Sequence, residues 1–162
     1  MKSWLAMQVA CSVASGIDFL GYFKTTPEKV MLIQFENENT DMQHRFKDML
    51  KYFDQKYGSD EWQKNLLIIP KEDEGKLFVN QWDEVDRLCK KHNWEGNTII
   101  VDNLYSSTDL ELANGKDIVQ LVRIVDKVKR KHKSTMLLIA HTNKIDHTLK
   151  DLKIDQLQGN KT

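Results

Sequence analysis

The chain has 162 residues, of which 40% are hydrophobic and 30% charged, a balance typical of a soluble globular domain rather than a disordered chain. Its 24 basic and 24 acidic side chains give zero net charge, which excludes a uniformly basic nucleic-acid coat but not a local patch. Two cysteines, Cys11 and Cys89, are too few for a disulfide framework, and no apolar run approaches the roughly 20 residues of a membrane span. We therefore predict one cytoplasmic domain over residues 1–162, with no membrane contact.

The N-terminal segment, MKSWLAMQVACSVASG, imitates a secretory signal because Lys2 precedes an apolar stretch with small residues at its end. Gln8 interrupts that stretch and only one basic residue precedes it, so a helix is the favoured interpretation. We predict a mostly buried helix that ends at Gly16. Its packed face would carry Leu5, Val9 and Val13, and close approach would be allowed by Ala6, Ala10 and Ala14.

Four short, mostly apolar runs have the composition of strands that are buried on both faces. In chain order they are Val30–Phe35, Leu66–Ile69, Thr98–Val101 and Thr135–Ala140. Amphipathic helices are predicted between them, from Asn39 or Thr40 to Gly58, from Asn80 to Gly96, and over residues 118–128. This alternation predicts an α/β domain with a parallel sheet that is covered by helices.

Polar residues follow three of these strands at the point where each strand ends. Glu36 follows the first strand, Asp102 follows the third, and His141 follows the fourth. Because the carboxyl ends of parallel strands line the ligand crevice of an open α/β sheet, these side chains are expected to converge. Polar residues also follow strands simply because loops contact water, but their occurrence after three strands favours a functional site.

Lys2 and Ser3 open the predicted N-terminal helix, and they match the last two positions of the phosphate-binding loop G-x-x-x-x-G-K-[ST]. In that loop the lysine contacts the terminal phosphates and the hydroxyl group ligates Mg²⁺. The amide groups of a helix N-terminus add a field that favours an anion. A Lys-Ser pair alone is uninformative, and its meaning depends on the motifs that follow it.

Five segments in succession carry those motifs: KSWLAMQVACSVASG, VMLIQFENENTDMQHRF, TIIVDNL, LLIAHTNK and QLQGNK. Their order and spacing, over almost the whole chain, resemble the RecA-like P-loop ATPases, and in particular the RepA-like group of hexameric replicative helicases and related ATPases. The resemblance implies a three-layer RecA-like P-loop fold with a mostly parallel sheet and helices on both faces. It also implies an ATPase that uses ATP and Mg²⁺, acts on single-stranded DNA and assembles as a homo-oligomeric ring.

The resemblance implies a role for each residue at the strand ends. Lys2 and Ser3 would complete the Walker A motif, and Asp102 would be the Walker B aspartate that acts on Mg²⁺ through water. Glu36 resembles the glutamate that activates the attacking water, and His141 resembles the polar sensor of the γ-phosphate. These residue types suit phosphoryl transfer, which is catalysed mainly by positioning and by charge stabilisation.

Four further cations are assigned by the resemblance. Lys144 matches a basic residue near a neighbouring subunit's nucleotide, and Arg45 matches a frequent helix arginine of the family, so both are predicted to bind ATP. DNA normally contacts the loops after the third and fourth strands, and in the second of these loops Lys150 and Lys153 are the predicted contacts. Acidic residues interrupt both loops, so neither loop is strongly basic.

The sequence departs from the family pattern at both ends. It begins with Met1 at the position where the family has the second glycine of the Walker A loop, and it ends where the family continues with further strands. The backbone amides of the Gly-rich loop normally cradle the phosphates. We therefore predict a fragment, or the product of a reading frame that is started too late, which lacks the first, Walker A strand, binds ATP weakly and exposes an apolar strand edge.

Three function hypotheses remain open. The chain is a DNA-replication helicase of the RepA-like type, a RecA-like ATPase in recombination or regulation without helicase activity, or an inactive fragment that only binds a partner. DNA stimulation of ATP turnover separates the first two, and the third needs the exposed sheet edge as its binding surface.

Other candidate sites have weaker support in the sequence. Cys89 and His92 have partial zinc spacing, but no second pair accompanies them and core packing is favoured for the cysteine. Glu36 and Asp102 would suit a two-metal nuclease, but no third acidic strand end supports one. A basic cluster, residues 127–133, is interpreted as a solvated helix C-terminus, with nucleic-acid contact as the alternative. Core packing is also predicted for Trp4, Trp62, Trp82 and Trp94.

Overall fold

The structure is a computed structural model that describes residues 2–35, 39–70, 81–108, 110 and 115–140. Within these ranges four strands form a parallel sheet: Val30–Gln34 (β1), Leu66–Ile69 (β2), Thr98–Asp102 (β3) and Thr135–Ile139 (β4). The α-helices are Lys2–Ser15 (α1), Asn39–Tyr57 (α2), Gln81–Lys91 (α3) and Gly115–His132 (α4), with short 3₁₀ helices at Glu61–Asn65 and Tyr105–Ser107. The predicted α/β alternation is confirmed, and none of the helices in these ranges is long and apolar enough to cross a bilayer.

The strands lie in the order β2-β1-β3-β4, so the chain changes direction inside the sheet. From β1 it moves outward to β2, and it then crosses back past β1 to reach β3 and β4 on the other side. The connections that leave β1 and β3 therefore run in opposite directions. The carboxyl ends of these two neighbouring strands form the switch point at which open α/β sheets bind ligands.

Helices cover both faces of the sheet, as predicted. α1 and α2 pack on one face, in a core that includes Leu32 and Ile100, whereas α3 and α4 pack on the other face, with Ile33 and Val101. Because side chains alternate along a strand, the residue after Ile33 in β1 and the residue after Val101 in β3 face the α1 side. The end of each central strand is thereby aimed at the α1 layer.

The packed face of α1 is centred on its small side chains and differs in part from the predicted one. Leu5 is 49% exposed, and Val9 and Val13 are only partly buried, whereas the deeply buried positions are those of small or flexible side chains. These positions are Ala6, Met7, Ala10, Cys11 and Ala14. The alanines let the helix backbone approach the sheet closely, as predicted, and Val9 and Val13 pack at the margin of the same core, so Leu5 is the residue that departs from the prediction.

The tryptophans follow the prediction with one exception. Trp62, Trp82 and Trp94 are buried in the two cores, which confirms the packing interpretation. Trp4 is 44% exposed because it lies on the outer side of α1, next to the exposed Leu5. Trp4 therefore contributes less to the core than the sequence pattern predicts.

Gly16 ends α1, as predicted. Its φ angle is +75°, and its N–H donates to the carbonyl oxygen of Ser12 at 2.8 Å. A Cβ atom at this position would lie 2.6 Å from Cγ of Pro27, so the turn after α1 depends on glycine for its space as well as for its backbone conformation.

β4 forms one edge of the sheet in the described part of the chain. All residues of β1 and β3 are buried, but the residues of β4 are half-buried or exposed, and Leu137 is 36% exposed. Within the described residues β4 is thus more exposed than the central strands, as expected of an outer strand.

Candidate functional site

The site lies where the carboxyl ends of β1, β3 and β4 meet the beginning of α1. Gln34 ends β1 and Asp102 ends β3, and the two residues are partners in the parallel register. Lys2 begins α1, and its Nζ atom donates to the carbonyl oxygen of Ala140, the residue after β4, at 2.6 Å. A lysine ammonium group and a buried carboxylate are thus held at the same end of the sheet, where the carboxyl ends of the strands lie.

Asp102 is 1% exposed, so its carboxylate needs hydrogen bonds to compensate for the loss of water. Nε2 of Gln34 donates to Oδ2 of Asp102 at 2.8 Å, and the amide of Phe35 donates to the backbone carbonyl of Asp102 at 2.9 Å. The aspartate is therefore anchored through Oδ2 by the last residue of β1.

The turn after β3 is ordered by its own polar groups. The peptide bond between Asp102 and Asn103 is cis, and Asn103 is 2% exposed. Oδ1 of Asn103 accepts a hydrogen bond from the amide of Ser106 at 2.9 Å, and the amide of Leu104 donates to the carbonyl of Ile139 at 2.7 Å. The first bond closes the turn, and the second joins the turn to the end of β4, next to Ala140, which Lys2 contacts.

The N-terminus of α1 contributes a positive electrostatic potential at the carboxyl ends of the strands. Lys2 is exposed and Ser3, in the first turn, is half-buried. The first amide groups of an α-helix have no partners within the helix, and together with the helix dipole they favour an anion. This end of α1 has the chemistry to receive an anionic group, while the neighbouring Asp102 has the chemistry to support a hard cation.

The remaining predicted site residues are divided between the described ranges and the rest of the chain. Arg45 lies in α2, the helix that follows β1, and its side chain is half-buried. The others fall outside the described residues: Glu36, His141, Lys144, Lys150 and Lys153.

Gln34 is the residue that the sequence analysis missed. It is 1% exposed, although every other residue of β1 is apolar. A polar side chain inside an apolar run, VMLIQF, is the signal that would have found it, because a buried amide is costly unless it has a partner. Its partner is contributed by β3, far away in the sequence.

The basic cluster, residues 127–133, is largely neutralised by acidic side chains. Arg130 lies 2.7 Å from Asp126, Lys131 lies 2.8 Å from Asp86, and Lys133 lies 2.6 Å from Glu95. The cluster also ends α4 just before β4 begins, at the end of the sheet opposite to Asp102. Both observations favour the interpretation as a solvated helix C-terminus.

The two cysteines are core residues, as predicted for Cys89. Cys11 and Cys89 are fully buried, and burial raises the pKa of Cys11 to about 12 and that of Cys89 to about 11. Deep burial and a raised pKa make a thiol a poor nucleophile near neutral pH, which fits a packing role for both side chains. Within the described ranges, no group of three or more histidine, cysteine or acidic residues is placed to hold a metal ion.

Comparison with known proteins gives one family. The sequence model of a family described as an AAA domain matches residues 1–146. No curated protein matches the chain significantly.

Proposed function

The chain belongs to the AAA domain family of P-loop ATPases, and we propose that it is a domain that binds and hydrolyses ATP with Mg²⁺. The observation that carries the proposal is the buried Asp102 at the switch point of the sheet, beside the beginning of α1 and its Lys2. Ligands of open α/β sheets occupy this position.

The residues at this edge suit ATP and Mg²⁺ chemically. Mg²⁺ prefers oxygen ligands and keeps several of its waters, which fits the hydroxyl group of Ser3 as a ligand and Asp102 as an acceptor from a metal-bound water. The ammonium group of Lys2 would bind the terminal phosphates. Arg45 and Lys144 are proposed as further cations for the nucleotide.

Catalysis would then rest on positioning and on charge. We assign to Glu36 the role of accepting a hydrogen bond from the attacking water and aligning it, and to His141 that of contacting the γ-phosphate. Both residues follow strands, β1 and β4, whose carboxyl ends lie at the same end of the sheet as Asp102. Mg²⁺, when bound, neutralises part of the charge that develops on the phosphates.

The test compares Glu36→Gln with Asp102→Asn in the full-length protein by single-turnover ATP hydrolysis. Glu36→Gln is expected to lower the rate by about 10²-fold or more, with ATP affinity nearly kept, because the carboxylate acts on water and not on ATP. Asp102→Asn is expected to weaken Mg²⁺-dependent nucleotide binding as well. Glu38→Gln, in the same segment before α2, is the matched control.

A normal rate for Glu36→Gln would remove this residue from the catalytic list. In that case Glu36 only supports the N-terminus of α2, where acidic residues are favourable, and Glu38→Gln should behave in the same way. Equal loss in both glutamate variants would also count against a specific role for Glu36.

As its biological work we propose DNA-replication helicase activity of the RepA-like type, in a homo-oligomeric ring on single-stranded DNA. The support is the order of the sequence motifs. DNA-stimulated ATP turnover with strand separation is expected, whereas stimulation without separation would favour the recombinational or regulatory ATPase. The third hypothesis, a fragment that only binds a partner, is favoured by the exposed edge at β4 and predicts no ATP turnover.

A further inference from the structure

We propose that Gln34 is a positioning residue for Asp102, which it orients so that Oδ1 of the carboxylate is presented to a metal-bound water. This inference rests on the proposed ATPase function, because it concerns the same carboxylate. It concerns a residue to which the sequence motifs assign no role, and it gives a separate task to each oxygen of Asp102.

The backbone fixes the separation of the two residues. Gln34 and Asp102 are register partners in adjacent parallel strands, and the amide of Phe35 donates to the carbonyl of Asp102 at 2.9 Å. Alternation along β1 and β3 turns both side chains toward the α1 face, on which Leu32 and Ile100 are packed. The bond of 2.8 Å between Nε2 and Oδ2 is therefore built into the sheet and does not depend on a loop.

Burial makes this bond a strong orienting contact. Both residues are 1% exposed, so water does not compete for the carboxylate oxygen or for the amide. A hydrogen bond to a charged group is shorter and stronger than a neutral one, and the low local dielectric strengthens it further. Oδ2 is thus occupied, and the carboxylate plane cannot rotate without loss of the bond.

The choice of an amide is chemically informative. A lysine or arginine at this position would pair with Asp102 and compete with a cation for its charge, whereas a carboxylate would repel it. An apolar residue would pack well in the strand but would leave Oδ2 without a donor. Only a neutral donor holds Asp102 in place and leaves its negative charge available for Mg²⁺.

The experiment measures the free Mg²⁺ concentration that gives half-maximal ATP hydrolysis by the full-length protein at saturating ATP. Gln34→Leu, which lacks the donor, is expected to raise this concentration about 10-fold, the effect of losing one hydrogen bond to a charged group. Gln34→Met, which keeps the length of the side chain but has no donor, is expected to raise it by a similar factor. The KM for ATP at saturating Mg²⁺ should stay within about twofold, because the proposed role of Gln34 is to orient Asp102 and no hydrogen bond to ATP is lost.

Two variants serve as controls. Ile33→Val lies in the same strand on the opposite face, and it should lower the melting temperature without a change in the Mg²⁺ requirement. Asp102→Asn should raise the Mg²⁺ requirement by itself. If Gln34→Leu does not fold, Gln34→Met, which keeps the length of the side chain, gives the same measurement.

The outcomes separate the two proposals. A raised Mg²⁺ requirement in Asp102→Asn but not in the Gln34 variants would overturn the positioning role and leave the ATPase proposal standing. A lower melting temperature alone would assign Gln34 to packing and would also overturn the role. A full-length protein that neither binds nor hydrolyses ATP would overturn the proposed function, and the role of Gln34 with it.

Discussion

Asp86, in α3, has a carboxylate that joins two helices on the face of the sheet opposite to α1. It contacts Lys90 of its own helix at 2.7 Å, Lys131 of α4 at 2.8 Å and Nε2 of His132, also of α4, at 2.7 Å. Burial opposes its ionisation, but the hydrogen bonds from Lys131, Lys90 and His132 outweigh burial and hold the pKa of Asp86 well below its usual range. This carboxylate therefore stabilises the fold only while it is ionised.

Asp86→Asn is expected to lower the free energy of unfolding by about 1–2 kcal/mol at pH 7, measured by urea denaturation. Because the pKa of Asp86 is lower in the folded state, its contribution is present above the unfolded pKa of about 4 and is lost as the pH falls further. The difference between the variant and the unsubstituted protein should therefore shrink below about pH 4.

Asp126→Asn is the control for this prediction. Asp126 is more exposed than Asp86 and pairs with Arg130 and Lys129 on the surface of α4, where ion pairs contribute about 0–1 kcal/mol. Equal destabilisation by the two variants at pH 7 would show that the contacts of Asp86 to a second helix add nothing.

At the scale of the element, the turn after α1 depends on Gly16. Gly16 and Gly58, which follows α2, both have positive φ angles of +75° and +89°. Both glycines end the preceding helix in the same way, since the amide of each donates to the carbonyl oxygen four residues earlier at 2.8 Å. They differ in surroundings, because only Gly16 is in close contact with another residue, Pro27.

Gly16→Ala is expected to destabilise the protein more than Gly58→Ala, as measured by thermal and urea unfolding. Each alanine must adopt a left-handed conformation, at a cost of about 1–2 kcal/mol. At Gly16 the added Cβ also meets the ring of Pro27, and forced overpacking of this kind costs about 1–3 kcal/mol more. Similar losses in both variants would show that the segment around Pro27 yields to the new methyl group.

The charge of the whole molecule sums to zero, so DNA binding would require a local surface. The basic cluster at the end of α4 is a poor candidate, because acidic partners neutralise most of it. The predicted contacts, Lys150 and Lys153, lie beyond β4 in the sequence and outside the described residues. Their role stays a prediction that depends on the resemblance to DNA-dependent ATPases.

Lys150→Ala and Lys153→Ala are each expected to weaken binding of the full-length protein to single-stranded DNA. Each lost phosphate contact should also lower the slope of log affinity against log salt concentration by about one unit. Lys127→Ala, an exposed lysine of the basic cluster, should leave the slope unchanged. A slope that is reduced by Lys127→Ala and not by the other two would move the DNA surface to α4.

The sequence alone was sufficient for the strands, the helices and their alternation, because each of these depends on local apolar periodicity. Neighbouring residues in the sequence are enough to predict the buried strands β1 and β3 and the glycine that ends α1. The polar residues after the strands predicted a site at the carboxyl ends of the strands by the same kind of argument, since parallel strands place these ends together.

Tertiary structure decided which face of α1 is packed and which side chain holds Asp102. Both outcomes depend on residues that are distant in the sequence: the sheet selects Ala6 and Ala10 over Leu5, and the register of β1 with β3 joins Gln34 to Asp102. The neutralisation of the basic cluster likewise needs Asp86 and Glu95 from an earlier part of the chain. Local patterns specify elements, but the contacts between elements follow from packing distance and strand register, which no local pattern contains.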